Sequence, residues 1–289
     1  MIRHDKGITA GAILPHGSTI PELAGDQEQL MAGLHRACLL AGAAISQCQP
    51  ECILVITPHG MVLDDMFTVC LFSHASGSLD GENGGITGCY TIDTELSDYL
   101  WKELQSYGVP AASLVPDAGE EETQHMPLDW GALIPLWYCT RDCVVMPSIV
   151  LVTPCPSLTL QQHMDFGAAA ARAAHTLGRR MAVIASSDWA HRHEESGPYG
   201  FHPAAAELDR RVVKAVKSNS LHELEELDED LISDAAIDGL WPTTMLRGAL
   251  AYEITHGTHF EHEFLHYDHP TYFGMLAATW KRSKQVAAQ

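Results

Sequence analysis

The chain has 289 residues, 46% hydrophobic and 19% charged, with 37 acidic against 17 basic side chains and a formal net charge of −20. That length and apolar share suit a packed α/β protein of one large domain or two small ones. The acidic excess argues against a nucleic-acid partner, because so few cations cannot displace counterions from a phosphate backbone.

Met1 to Lys6 lacks the apolar core of a signal peptide and no run reaches the length of a membrane span, so a cytoplasmic protein without a membrane partner is expected. Ile8 to Ile13 and Cys52 to Ile56 are short apolar runs that stop at Leu14-Pro15-His16-Gly17 and Thr57-Pro58-His59-Gly60. Runs of this kind, halted by Pro and Gly, read as buried strands. Between them Asp26 to Ile45 repeats Leu30, Leu34 and Cys38 at helical spacing, which makes a strand–helix–strand unit with parallel strands. The ligand crevice of an open α/β sheet lies beyond the C-terminal strand ends, so His16 and His59 would meet there on one ion if their strands are neighbours. Met66 to Phe72 reads as a third strand. Ser73 to Gly88 reads as a loop or long hairpin, and its Gly-Glu-Asn-Gly-Gly stretch lacks the Lys-Ser/Thr ending of a phosphate-binding loop. A helix from Glu95 to Tyr107, capped by Asp93 or Thr94, precedes a strand at Ala111 to Val115 and an acidic loop at Asp117 to Glu122.

His125 to Gly131 then runs into the apolar segment Ala132 to Tyr138, and Val144 to Val152 reads as a central strand broken only by Pro147 and Ser148. After a long helix, Leu158 to Leu177, the strand Met181 to Ala185 ends in Ser186-Ser187-Asp188-Trp189-Ala190-His191, a third histidine at a strand end. Helices are expected at Pro203 to Lys217, Ser220 to Asp234 and Thr243 to Ile254, and the acidic run in the second suits a solvated face better than a calcium loop. Phe260 to Tyr267 and Tyr272 to Trp280 close the chain as strand candidates. On the first of these His262 and His266 share a face, and His266 and His269 could border a pocket. The eight cysteines are scattered, Cys52 opens a strand, and reduced thiols packed as small hydrophobes are expected rather than a zinc site. No linker interrupts these blocks. The expectation is one domain over residues 1–289, a three-layer α/β fold with a central mostly parallel or mixed sheet and helices on both faces.

Two histidines and one carboxylate with open positions left over form the facial triad of non-haem Fe(II) oxygenases. Zn2+ with the same ligands and a bound water fits them equally.

The chain resembles class III extradiol ring-cleavage dioxygenases, of the type of the protocatechuate 4,5-dioxygenase catalytic subunit, and is similar to the related Memo-like proteins. The resemblance rests on the two Pro-His-Gly stretches, Leu128-Asp129-Trp130-Gly131-Ala132-Leu133-Ile134-Pro135-Leu136, Ser186 to His191, Ile237-Asp238-Gly239 with Leu246-Arg247-Gly248-Ala249-Leu250, and a tail like His266-Tyr267-Asp268-His269-Pro270 before Gly274. It implies His16 and His59 as imidazole ligands of Fe(II) and His191 as the acid/base histidine, work that suits an imidazole, which titrates near neutral pH when unperturbed. Asp188 either supports the ligands or caps its turn. Where the dioxygenases place a glutamate ligand this chain has Asp238, one methylene shorter, and Memo-like proteins have a cysteine; Asp234 is the competing candidate. Trp130 stands where the dioxygenases have a pocket histidine, a gap that His125 is placed to fill. The expected partners are a small catechol-like aromatic substrate and O2, in aromatic compound catabolism, with a homodimer by analogy. A zinc-dependent hydrolase or lyase and a Memo-like non-catalytic or redox interaction protein are the alternatives.

Overall fold

The computed structural model describes residues 6–81, 83–116 and 125–283. In chain order the strands are Gly7–Leu14 (β1), Cys52–Ile56 (β2), Phe67–Cys70 (β3), His74–Gly81 (β4), Gly84–Thr91 (β5), Ala111–Leu114 (β6), His125–Pro127 (β7), Ser148–Thr153 (β8), Arg180–Ser186 (β9), Phe260–Asp268 (β10) and Met275–Arg282 (β11). The α-helices are Pro21–Ala24 (α1), Glu28–Gln47 (α2), Thr94–Ser106 (α3), Trp130–Thr140 (α4), Leu160–Thr176 (α5), Ala204–Lys217 (α6), Glu229–Ala235 (α7) and Leu240–Thr255 (α8). Among the described residues no helix is long and apolar enough to cross a membrane.

Uninterrupted apolar runs are stable as strands only when both faces are covered, and β1 and β2 are buried along their whole length. They lie in an eight-stranded sheet of order β10-β11-β1-β9-β2-β8-β3-β6. The four central strands β1, β9, β2 and β8 are mutually parallel, while β11 joins β1 and β3 joins β8 antiparallel. Side chains alternate between the faces: Leu54 and Ile56 pack with Phe166, Leu208 and Leu246 from α5, α6 and α8, and Ile53 and Val55 pack with Cys38, Leu133 and Leu136 from α2 and α4. The result is the expected three-layer α/β fold with a mixed central sheet. A β-bulge between Ile8 and Ala10 shifts the parity of β1, so Ile8 and Ile13 face one layer while Ala10, Ala12 and Leu14 face the other. Helices α5 and α8 cross at backbone contact. A Cβ on Gly167 would strike the Met245 carbonyl, and one on Gly248 the Met164 carbonyl, so only glycine allows that approach.

Several local expectations change in three dimensions. Ser73 to Gly88 takes the hairpin alternative, as β4 and β5, and with β7 forms a separate three-stranded sheet. Val144, Val145 and Met146 are exposed, and the strand begins only after Pro147, which has no N–H to give a ladder. The acidic stretch from Ser220 to Asp234 is a 3-10 turn, Leu221–Glu226, and the short α7, separated by an extended Leu227. His262 and His266 do not share a face. A bulge between Phe264 and His266 turns His262 against Trp280 and His266 toward Gly33 of α2. The acidic loop expected at Asp117 to Glu122 lies outside the described residues. All eight cysteines are free.

Candidate metal centre

The strands that carry the two Pro-His-Gly loops are not neighbours. β9 runs between them, with Leu14 opposite Ser186 and Ile56 opposite Ala185. At roughly 4.8 Å per strand spacing, β1 and β2 stand about 10 Å apart. His16 reaches in from one side and His59 from the other, above the end of β9, until their Nε2 atoms are 2.9 Å apart. Asp238, in the turn between α7 and α8, brings Oδ2 to 3.3 Å from His16 Nε2 and 3.4 Å from His59 Nε2. One ligand atom from each of the three residues lies within 4.8 Å of the others.

Each donor is held by its surroundings. Ser186 Oγ donates to the Gly131 carbonyl and therefore accepts from His16 Nδ1, at 2.9 Å. This hydrogen-bond network assigns the proton of a neutral His16 to Nδ1 and leaves Nε2 as the lone pair facing Asp238 and His59. Asp188 Oδ1 accepts the His16 backbone N–H at 3.2 Å, and the Asp188 N–H donates to Asp238 Oδ1 at 2.9 Å, which turns Oδ2 toward the imidazoles. On the other side Asp129 Oδ1 caps α4 through Ala132 N and accepts the Thr57 hydroxyl at 2.7 Å, while Thr57 Oγ1 takes the His59 N–H. Gly131 is required here, because a Cβ would sit 2.6 Å from Thr57 Oγ1 and 3.1 Å from His59 Cδ2. The Trp130 ring lies over His59 at 4.4 Å between centroids.

Electrostatics follow from burial and proximity. Burial opposes a charge on His16, but Asp188 and Asp238 outweigh it and raise its pKa to about 9. Burial likewise opposes ionisation of Asp238, but the charge and hydrogen bond of His16, then His59 and His191, hold it well below the usual carboxylate range. Asp188 is pushed upward, chiefly by burial, with Asp238 adding to it and His16 and His191 opposing. Two imidazoles and a carboxylate at these separations suit a divalent cation. Donors about 2.1 Å from one ion and at right angles stand roughly 3 Å apart, close to the 2.9, 3.3 and 3.4 Å found here.

His16 and His59, with Asp188, line the inner end of a pocket of about 420 Å³, and Asp238 lies directly behind them, within 3.4 Å of both imidazoles. His191 lines it with its Nδ1–H donating to the Ala236 carbonyl at 2.8 Å, so Nε2 is the free nitrogen, 3.9 Å from Asp238 Oδ2. Ala236 holds a left-handed conformation, φ 54°, at a cost of about 1–2 kcal/mol for a non-glycine residue; that turn ends α7 and leads the chain to Asp238. Phe273 stacks on His191 at 5.4 Å, and Asp209 of α6 fixes the loop around it by accepting from Ala190 N, His193 Nε2 and the Tyr267 hydroxyl.

The fold thus brings His16, His59, Asp238, Asp188 and His191 together and leaves four candidates outside. Asp234 is exposed, with its Oδ2 3.9 Å from His202 Nε2. His125 is exposed on β7, stacked on His74 at 5.2 Å, and does not line the pocket; neither do His266 and His269, the latter lying on His193. Sequence reasoning missed Ser186, Asp209 and Phe273. Ser186 does sit at a strand end beside two other candidates, the one signal that pointed to it.

Comparison with known proteins gives a consistent picture. Residues 10–276 match the family model described as the catalytic LigB subunit of aromatic ring-opening dioxygenase. Protein CA_C1420 of Clostridium acetobutylicum is 24% identical over 258 residues, which are 89% of this chain and 54% of that protein, so the chain spans about half the length of this curated relative. The crystal structure of uncharacterized protein JW3007 from Escherichia coli K12 has the same fold, with a TM-score of 0.60 over 94% of this chain and 99% of that one, at 14% identity.

Proposed function

The chain belongs to the family of the catalytic LigB subunit of aromatic ring-opening dioxygenase, and on that premise we propose that it is a non-haem Fe(II)-dependent extradiol dioxygenase that opens a catechol-like ring beside its hydroxyls. The observation that carries this reading is the meeting of His16, His59 and Asp238 at the inner end of a pocket that His16 and His59 line and into which His191 presents a free imidazole nitrogen.

His16 Nε2, His59 Nε2 and Asp238 Oδ2 would hold the metal. Fe(II) bound there supplies a Lewis acid that orients diol and O2 and lets charge pass between them. His191 Nε2 takes the proton of one substrate hydroxyl and later returns it, with the Ala236 carbonyl keeping the ring in one tautomer. Trp130 and Phe273 form aromatic walls beside His59 and His191, which position a flat ring and keep water from it. The carbon–carbon bond next to a hydroxyl-bearing carbon breaks, both oxygen atoms enter the product, and the substrate provides all the electrons that O2 accepts. No external reductant is consumed.

The test is anaerobic purification, Fe(II) loading and oxygen uptake with simple catechols. Equimolar consumption of O2 and catechol is expected, with metal and activity both lost in Asp238→Ala. Zinc as the resident metal, without oxygen uptake after iron loading, overturns the proposal.

A further inference from the structure

Beyond the metal-facing end, the pocket is lined by Leu23, Leu79 and Ile134 together with the neutral polar side chains of Ser18, Tyr199 and Tyr272, and by the exposed carboxylate of Asp80. No lysine or arginine is among the described residues that line it. The sequence explains why. Between Ala37 and Thr140, which covers β4, β5 and the start of α4, Lys102 is the one residue of either type, and it pairs with Asp98 on α3. Arg192, next to His191, is turned away: its Nε donates to the Tyr199 carbonyl at 3.0 Å and its Nη1 to the Asp234 carbonyl at 3.2 Å. The remaining groups able to carry positive charge are His16, His59 and His191, and the proposed reaction uses all three.

Resting on the dioxygenase reading, we infer that this pocket selects catechols whose ring substituent carries no negative charge and rejects carboxylated ones. With the hydroxyls at the metal-facing end, a substituent on the far side of the ring meets apolar and neutral polar side chains and Asp80. An anion moved there from water finds no cationic partner, only neutral donors, and lies beside a like charge. An uncharged group loses little and covers apolar surface. The 420 Å³ volume is in the range of sites that take ligands larger than a bare catechol ring, so a substituent of some size belongs to the proposed substrate.

The test compares 3,4-dihydroxybenzamide with 3,4-dihydroxybenzoate, which match in size and differ in charge at neutral pH. Anaerobic calorimetric titration of the Fe(II)-loaded protein reads binding, and oxygen uptake reads turnover. The amide is expected to bind at least about tenfold more tightly and to show a kcat/KM higher by at least about tenfold. Leu79→Lys is expected to move both ratios toward the acid, and Asp80→Asn, a milder change on the surface, to move them in the same direction. Equal or tighter binding of the acid to the wild type, or binding of neither compound, overturns the inference. An amide that binds preferentially while no oxygen is consumed defeats the dioxygenase reading and upholds the charge preference.

Discussion

Replacing Ser186 by alanine removes one oxygen from the line that joins His16 Nδ1 to the Gly131 carbonyl. The His16 side chain is 2% exposed, so water does not take the vacated place. A buried N–H left without an acceptor costs about 1–3 kcal/mol, and the imidazole loses the contact that fixes its tautomer and angle. Since 1.36 kcal/mol is a factor of ten, the loss corresponds to about 5- to 150-fold in an equilibrium constant, a range that contains the roughly 10- to 100-fold typical for partners of metal-bound histidines. Competition with a chromophoric chelator measures metal affinity, and denaturant melts of the metal-free protein measure stability. The expected result is a folded protein whose metal affinity falls by at least about tenfold. A folded Ser186→Ala variant with affinity within about twofold of wild type would refute the assignment of His16 as a ligand oriented by this serine.

Metal binding should also depend on pH. His16 is protonated below about 9 and must lose that proton to ligate, so apparent affinity should rise about tenfold per pH unit toward that value and level off above it; affinity independent of pH between 6 and 8 counts against the site. His163 is fully buried and its pKa is lowered to about 4, mainly by burial. The unfolded chain therefore binds this proton first, and stability should fall by about 3 kcal/mol as pH drops from 6.5 to 4, a loss that His163→Leu should reduce in acid melts. Asp209→Ala leaves three donors around the His191 loop without their acceptor and should cost about 3–5 kcal/mol, read as a lower thermal midpoint; a shift under about 2 °C would mean the loop is held otherwise.

Much of this arrangement was legible in the chain itself, for identifiable reasons. β1, β2 and β9 are continuous apolar runs ended by Pro, Gly or Ser, so their C-terminal ends, and the histidines just beyond, could be placed by local reasoning. The order of the strands could not, because β9 enters between β1 and β2 through distant pairings, Leu14 with Ser186 and Ile56 with Ala185. His262 and His266 were misjudged because a bulge, which leaves no mark on the alternation of residue types, inverts half of β10. Asp238 and Asp234 are indistinguishable by spacing; the left-handed turn at Ala236 separates them, ending α7 with Asp234 on its exposed side and sending Asp238 inward. Ser186 is a small polar residue with no pattern of its own. Its importance arises from the Gly131 carbonyl, a backbone atom that sequence motifs do not register.

The placement of β9 has a consequence for how the protein is made. A ribosome releases both Pro-His-Gly loops early, yet the strand that sets their separation follows only at Ser186 and the carboxylate only at Asp238. At about 5–20 residues per second, Asp238 emerges roughly 10–35 s after Gly60. During that interval the nascent chain carries two histidines with no fixed distance between them and no third donor. The finished set of donors arises only when β9 has docked, so a cation held by all three would require the completed fold and not the growing chain.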